Sequence, residues 1–271
     1  MSALKDRMMY VAETGAANGR PLVFLHGWAA HGGYFAPQVA AFGERHRILL
    51  PDLPGHRHSL ATPADMTIPY LADQLHAMFS AHDLHGAVLV GWSMGAMVAF
   101  DYIGRYGSAL LAGLVVEDMT PRILNDREWH FGIRNGFDQA QSEAAMQMMR
   151  TDWETYAHNA LPHLFARDSR IDPALVQWVG EEMVRNDGTT MAALWDSMAQ
   201  QDYRWLLPQL ELPVLILHGS ESQLYEPAVS QWLAANITGA RRLCLDGAGH
   251  SPHLEMPDAF NGELTKFLAR L

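Results

Sequence analysis

The chain has 271 residues, a formal net charge of −11, 49% hydrophobic residues and 18% charged residues. That balance supplies a sizeable core and excludes a disordered chain, while an acidic surface without a Lys/Arg run leaves no footprint for nucleic acid or an anionic membrane. A single cysteine, Cys244, excludes an internal disulfide and fits a reducing compartment.

Taken in chain order, the elements begin with Met1–Tyr10, which carries Lys5, Asp6 and Arg7 and lacks the apolar stretch of a signal peptide. An edge strand is expected near Met8–Ala12, then a strand at Leu22–Leu25, a helix at Tyr34–Phe42 and a strand at Ile48–Leu50. A helix at Tyr70–His82 leads to a strand at Ala87–Val90, a helix at Met94–Tyr106 and a strand at Leu114–Val116. From Thr120 to Trp205 only helical pattern appears, rich in Met, Trp and acidic residues. Strand Val214–Leu217, helix Ala228–Ala235, strand Leu243–Leu245 and helix Ala259–Leu271 complete the series.

The short apolar runs are continuous rather than alternating, which is the pattern of parallel strands covered on both faces. Alternation with helices predicts an α/β protein with a mostly parallel, doubly wound sheet, whose ligands bind beyond the carboxyl ends of its strands. Residues 1–119 and 206–271 form the expected core, and 120–205 a helical cap over that edge. No run of about 18 apolar residues predicts a spanning helix. A cytoplasmic protein acting on a small-molecule substrate is the expectation. No metal-ligand spacing and no Gly-rich phosphate loop after a strand occurs, so no cofactor and no metal are expected.

Gly91-Trp92-Ser93-Met94-Gly95 carries the strongest chemical signal. It follows a predicted strand and opens a predicted helix, the context in which G-x-S-x-G holds a nucleophilic serine on a sharp turn. Glycines on either side give the turn its space, and the helix behind Ser93 points its positive end at the reacting centre. The bland alternative is a chance match in an ordinary turn, which the strand before and the helix after argue against.

Four segments, His26-Gly27-Trp28, Pro51-Asp52-Leu53-Pro54-Gly55-His56, Gly91–Gly95 and Gly247-Ala248-Gly249-His250, together resemble the α/β-hydrolase superfamily in content and order. The pairing of His-Gly-Trp with Gly-Trp-Ser is similar to small carboxylesterases, the pimeloyl-carrier-protein methyl ester esterases among them. The resemblance implies a serine hydrolase with a catalytic triad and an oxyanion hole. Its donors would be the backbone N–H groups of Trp28 and Met94. It also reads Asp52 as a structural loop residue. His26 precedes the turn and reads as a brace behind it.

His250, just past the last predicted strand, is the expected general base, with His253 as its competitor. For the acid, the resemblance implies an Asp after Val214–Leu217, but the slot in His218-Gly219-Ser220-Glu221-Ser222 holds Ser222. Asp118, after Leu114–Val116, is the leading candidate. Glu221 is the alternative, with Glu117 or no acid behind it.

Aromatic and Met residues of the insertion predict an apolar wall around a small to medium apolar acyl or aromatic ester, with His130, His158 and His163 as possible lining. Two rival readings stand beside the esterase: a cofactor-independent dioxygenase of the same fold, and a non-catalytic ligand receptor. A haloalkane dehalogenase needs a carboxylate where Ser93 stands and is excluded.

Overall fold

A computed structural model describes residues 9–168 and 171–271. Among these, seven strands form one sheet in the order β1-β3-β2-β4-β5-β6-β7. They are β1 (Val11–Gly15), β2 (Pro21–Leu25), β3 (Arg47–Pro51), β4 (Ala87–Trp92), β5 (Leu111–Glu117), β6 (Val214–Gly219) and β7 (Arg241–Leu245). Only β1 runs antiparallel to its neighbour; every other pairing is parallel. The expected edge strand therefore forms slightly later than Met8–Ala12. Met8 and most of the Met1–Tyr10 segment lie outside the described residues.

The continuous apolar runs have a simple cause. Successive side chains leave a strand on opposite faces, and here both faces are covered. Val23, Leu25, Leu89, Leu114, Val116 and Ile216 join one core with helices α2 (Ile68–Ala81), α3 (Met94–Tyr106) and α8 (Pro227–Asn236). Leu22, Phe24, Val88, Val90, Val115 and Leu215 join the other with α1 (Ala36–Phe42) and α10 (Pro257–Leu268). A run such as Leu22-Val23-Phe24-Leu25 thus feeds two cores at once.

Between β5 and β6 the described residues form no strand. They form helices α4 (Gln139–Thr151), α5 (Trp153–Ala160), α6 (Pro173–Val184) and α7 (Gly188–Ala199), with α4 packed on α7 and α5 on α6. The acidic residues that mark this stretch have a local job. Asp138, Asp152, Asp172 and Asp187 each cap the start of one of these helices, accepting from the backbone N–H of Gln141, Thr155, Ala174 and Thr190 respectively. Each such cap contributes about 1 kcal/mol and fixes where a helix begins. A short α9 (Pro252–Glu255) precedes α10.

Two devices shape the carboxyl edge of the sheet. The first is the β4–α3 turn, where Ser93 has φ 52° and ψ −122°. A Cβ at Gly91 would lie 2.5 Å from the Ala96 backbone, and one at Gly95 2.1 Å from the Leu25 carbonyl oxygen. Only glycine lets the helix start this close to β2. The second is a pair of buried imidazoles behind the loop after β2. His26 Nε2 accepts from the Leu53 N–H at 2.8 Å, and His56 Nε2 accepts from the Ala29 N–H at 3.2 Å. Burial pushes His26 well below its ordinary value and His56 down to about 4, so both are held neutral as acceptors.

Two outcomes follow from these devices. Gly95→Ala should cost more than about 3 kcal/mol in urea unfolding, because backbone rather than a flexible side chain blocks the new methyl. Gly262→Ala, on an open part of α10, should instead stabilise by up to about 1 kcal/mol. Stability should also fall in acid. The unfolded chain protonates His56 near 6.5 while the folded chain resists until about 4, so the contribution is complete above about pH 6.5 and is lost as pH drops through that window. A loss of about 2 kcal/mol from His56 between pH 7 and 5 is expected, with His26 acting in the same direction. His56→Gln should flatten that slope, and an unchanged slope would refute the assignment.

Candidate active site

The sequence-predicted residues converge at the carboxyl ends of β2, β4, β5 and β7. Ser93 and His250 line one cavity of ≈ 50 Å³ together with Gly27, Trp28, Trp92 and Tyr225. Its remaining wall is apolar, from Ile123, Ile133, Leu164, Trp195, Met198 and Leu224. Ser93 is 8% exposed, and its hydroxyl makes no hydrogen bond to another described residue.

His250 Nδ1 lies 2.6 Å from Asp118 Oδ2, and both side chains are buried. The ring nitrogen carrying the proton therefore donates to the carboxylate, which leaves Nε2 with a lone pair. Asp118 follows directly on β5 and has φ 41°, a left-handed backbone that costs about 1–3 kcal/mol in a non-glycine residue. Together with Ser93 and Ala29 at φ 58°, it places backbone strain at this edge.

The other acid candidates lie elsewhere. The exposed Glu221 makes no contact with the imidazole, and its backbone N–H donates to the Ala248 carbonyl at 2.9 Å. Glu117 belongs to His253. Its Oε1 accepts from the His253 N–H at 2.9 Å and lies 2.9 Å from Nδ1, with both side chains wholly buried. His253 is stacked on Phe35 at 4.6 Å and does not line the cavity. The possible lining histidines, His130, His158 and His163, are all exposed, because their helices and loops turn apolar faces inward.

The loop that presents His250 is held from several sides. Glu255 Oε1 accepts from the Gly249 N–H at 2.8 Å and the Ser251 N–H at 3.2 Å, while Oε2 accepts from the Ala166 N–H at 2.8 Å. Burial pushes the Glu255 carboxyl up from its ordinary value, against these three amides, which favour the anion. Trp92 Nε1 donates to the His250 carbonyl at 2.8 Å. Sequence reasoning missed Glu255, because a carboxylate that collects amides from two separate loops has no spacing signature.

The amides of Trp28 and Met94 have no acceptor among the described residues. The indole of Trp28 is fixed by donation to the Met191 carbonyl at 3.0 Å. It packs edge-on against Trp153 and Trp195, each at 5.4 Å. Asp52 accepts from the Gly32 N–H at 2.9 Å and from His58 at 2.7 Å, in keeping with a structural loop residue. No group of three or more possible metal ligands occurs among the described residues, nor a helix long and apolar enough to cross a membrane.

Comparison with known proteins agrees with this architecture. Residues 22–263 match the alpha/beta hydrolase family. A pimeloyl-[acyl-carrier protein] methyl ester esterase of Stenotrophomonas maltophilia is 29% identical over 267 residues, covering 97% of each chain. An esterase from Exiguobacterium antarcticum superposes with a TM-score of 0.90 at 22% identity, covering 96% of this chain and 95% of that one. A bromoperoxidase from Bacillus anthracis gives 0.89 at 21% identity, over 96% and 95%; at these identities the likeness is one of fold. The strand order, the serine turn and the match across most of its length establish that this chain belongs to the alpha/beta hydrolase family.

Proposed function

We propose that the protein hydrolyses carboxylic esters through an acyl-enzyme on Ser93, with His250 as general base and Asp118 as the acid that orients it. The observation that carries this reading is the buried 2.6 Å contact between His250 Nδ1 and Asp118 Oδ2, beside a cavity that Ser93 shares. With Nδ1 committed to the carboxylate, Nε2 takes the proton as Ser93 Oγ attacks the acyl carbonyl. It then returns that proton to the departing alcohol. Water attacks the acyl-enzyme by the same route and regenerates the serine. Negative charge on the tetrahedral oxygen falls to the amides of Trp28 and Met94, whose preorganisation at such a point is worth about 3 kcal/mol each.

The substrate reading follows from the walls. Residues 120–205 act as the cap, and Trp195 and Met198 from α7 join Ile123, Ile133 and Leu224 in an apolar enclosure of modest size. An ester with a small to medium apolar acyl or aromatic group suits it. The Stenotrophomonas relative is named for a methyl ester, and a small alcohol leaving group agrees with the restricted space here.

A fluorophosphonate should label the wild-type protein once. Ser93→Ala should lose both the label and turnover of p-nitrophenyl esters; turnover that persists would overturn the acyl-enzyme and redirect the reading to base chemistry at His250 alone. Among the charged partners, Asp118→Asn should lower kcat by roughly 10³–10⁴-fold with folding retained. Glu221→Gln should change it less than about tenfold, near 1.4 kcal/mol in barrier. His250→Ala should fall by several orders of magnitude while a folded His253→Ala falls far less. Reversal of either contrast would sink the assignment.

A further inference from the structure

The slot after β6 where the family resemblance implies an acid is occupied by Ser222, and its geometry has a direction. Ser222 is buried, 2% exposed, and its Oγ lies 2.6 Å from Asp118 Oδ2, the same oxygen that His250 Nδ1 reaches at 2.6 Å. A hydroxyl offers one proton and two lone pairs. Here the backbone N–H groups of Leu224 and Tyr225 donate into Ser222 Oγ at 3.3 and 3.2 Å. Those two amides use the lone pairs, so the hydroxyl proton is left for the carboxylate. Asp118 in turn is acceptor-only when ionised, which makes the bond charge-assisted.

The loop carrying Ser222 is not free to drift. Glu221 N–H donates to the Ala248 carbonyl at 2.9 Å and Ser220 N–H to that of Leu245 at 3.1 Å. Ser220 Oγ accepts from the Gly247 N–H at 2.8 Å. These bonds lock the β6 loop to the β7 loop that presents His250. The hydroxyl is therefore delivered to the carboxylate by the same framework that delivers the imidazole.

We propose that Ser222 is a positioning residue for the triad: from the loop after β6, its hydroxyl orients the Asp118 carboxylate toward His250. The inference rests on the reading of Asp118 as the acid. Ser222 touches neither substrate nor reacting atoms, and acts through Asp118 alone. Its bond also draws charge from the oxygen that faces the imidazolium. A carboxylate relieved of this donor holds the imidazolium more tightly, so the enzyme without it needs a higher pH to free the base.

The test uses the full chain with p-nitrophenyl acetate, with thermal unfolding followed for every variant. Ser222→Ala should lower kcat about tenfold, in line with loss of one charge-assisted hydrogen bond, with KM within about twofold of wild type. The acidic limb of its kcat/KM profile should move up by about half a pH unit. Ser222→Thr, which keeps the hydroxyl, should return both quantities toward wild type. If Ser222→Ala does not fold, Ser222→Cys, similar in size with a weak donor, carries the same expectation. An unmoved acidic limb in a folded variant, whatever kcat does, overturns the proposal, because loss of a merely structural turn leaves that limb in place. Asp118→Asn measured in parallel separates the two claims. Wild-type turnover there overturns the reading of Asp118 itself, whereas collapse there beside an unmoved limb in Ser222→Ala overturns only the role of Ser222.

Discussion

Helix α3 can begin where it does only because nothing projects from Gly95 toward the Leu25 carbonyl oxygen, 2.1 Å from where a Cβ would stand. That single approach fixes the end of β2 against the start of α3, and with it the loops that carry Trp28 and Ser93 to one cavity. Ser93 takes its left-handed backbone from the same crowding. The imidazoles of His26 and His56 then hold the neighbouring loop from behind, accepting amides that would otherwise be buried without partners. Strain at the turn is sustained because the surrounding bonds leave the chain no other path.

Alternation along a strand explains why two adjacent acids serve two different histidines. Glu117 closes β5 and Asp118 follows it, so their side chains depart in different directions. Glu117 enters the core beneath the site and pairs with His253, while Asp118 reaches His250. The two histidines are likewise separated by the start of a helix, with Pro252 between them. One pair is closed off among Phe35, Trp92 and Phe260; the other borders a cavity. A buried pair of the first kind is costly to break, since the surviving partner is left charged or unsatisfied, at about 3–5 kcal/mol.

Much of this was legible in the sequence because the physics is local. Continuous apolar runs marked all six parallel strands, and Gly91–Gly95 marked the turn, since steric limits on a tight backbone admit few residue types. The ends of elements were less legible. Pro227 and Pro257 start their helices one or two residues before the apolar pattern does, as a residue already fixed near helical φ allows. The insertion could be read as helical but not divided, because the dividing signal lay in Asp138, Asp152, Asp172 and Asp187, which in sequence were part of a general richness in acidic residues. Ser222 could be seen as an interruption of a pattern, but its bond to Asp118 depends on two strands meeting. Glu255 and the Glu117–His253 pair were invisible for the same reason: their meaning exists only in three dimensions.

The contacts that define the site join residues very far apart along the chain. His250 meets Asp118 across 132 positions, Ser222 meets Asp118 across 104, and Trp92 meets the His250 carbonyl across 158. Closing loops of that length costs chain entropy before any contact repays it, and parallel pairing defers most such contacts to late in folding. The serine turn draws on β2, β4, α3 and also β5, whose Glu117 carbonyl accepts from the Ser93 N–H at 2.9 Å, all from the first half of the sequence. His250 arrives after β7, the last strand in chain order. On the proposed reading of the site, chain order thus supplies the serine turn well before the imidazole that would activate it, so the strained turn and its partner come from opposite ends of the sequence.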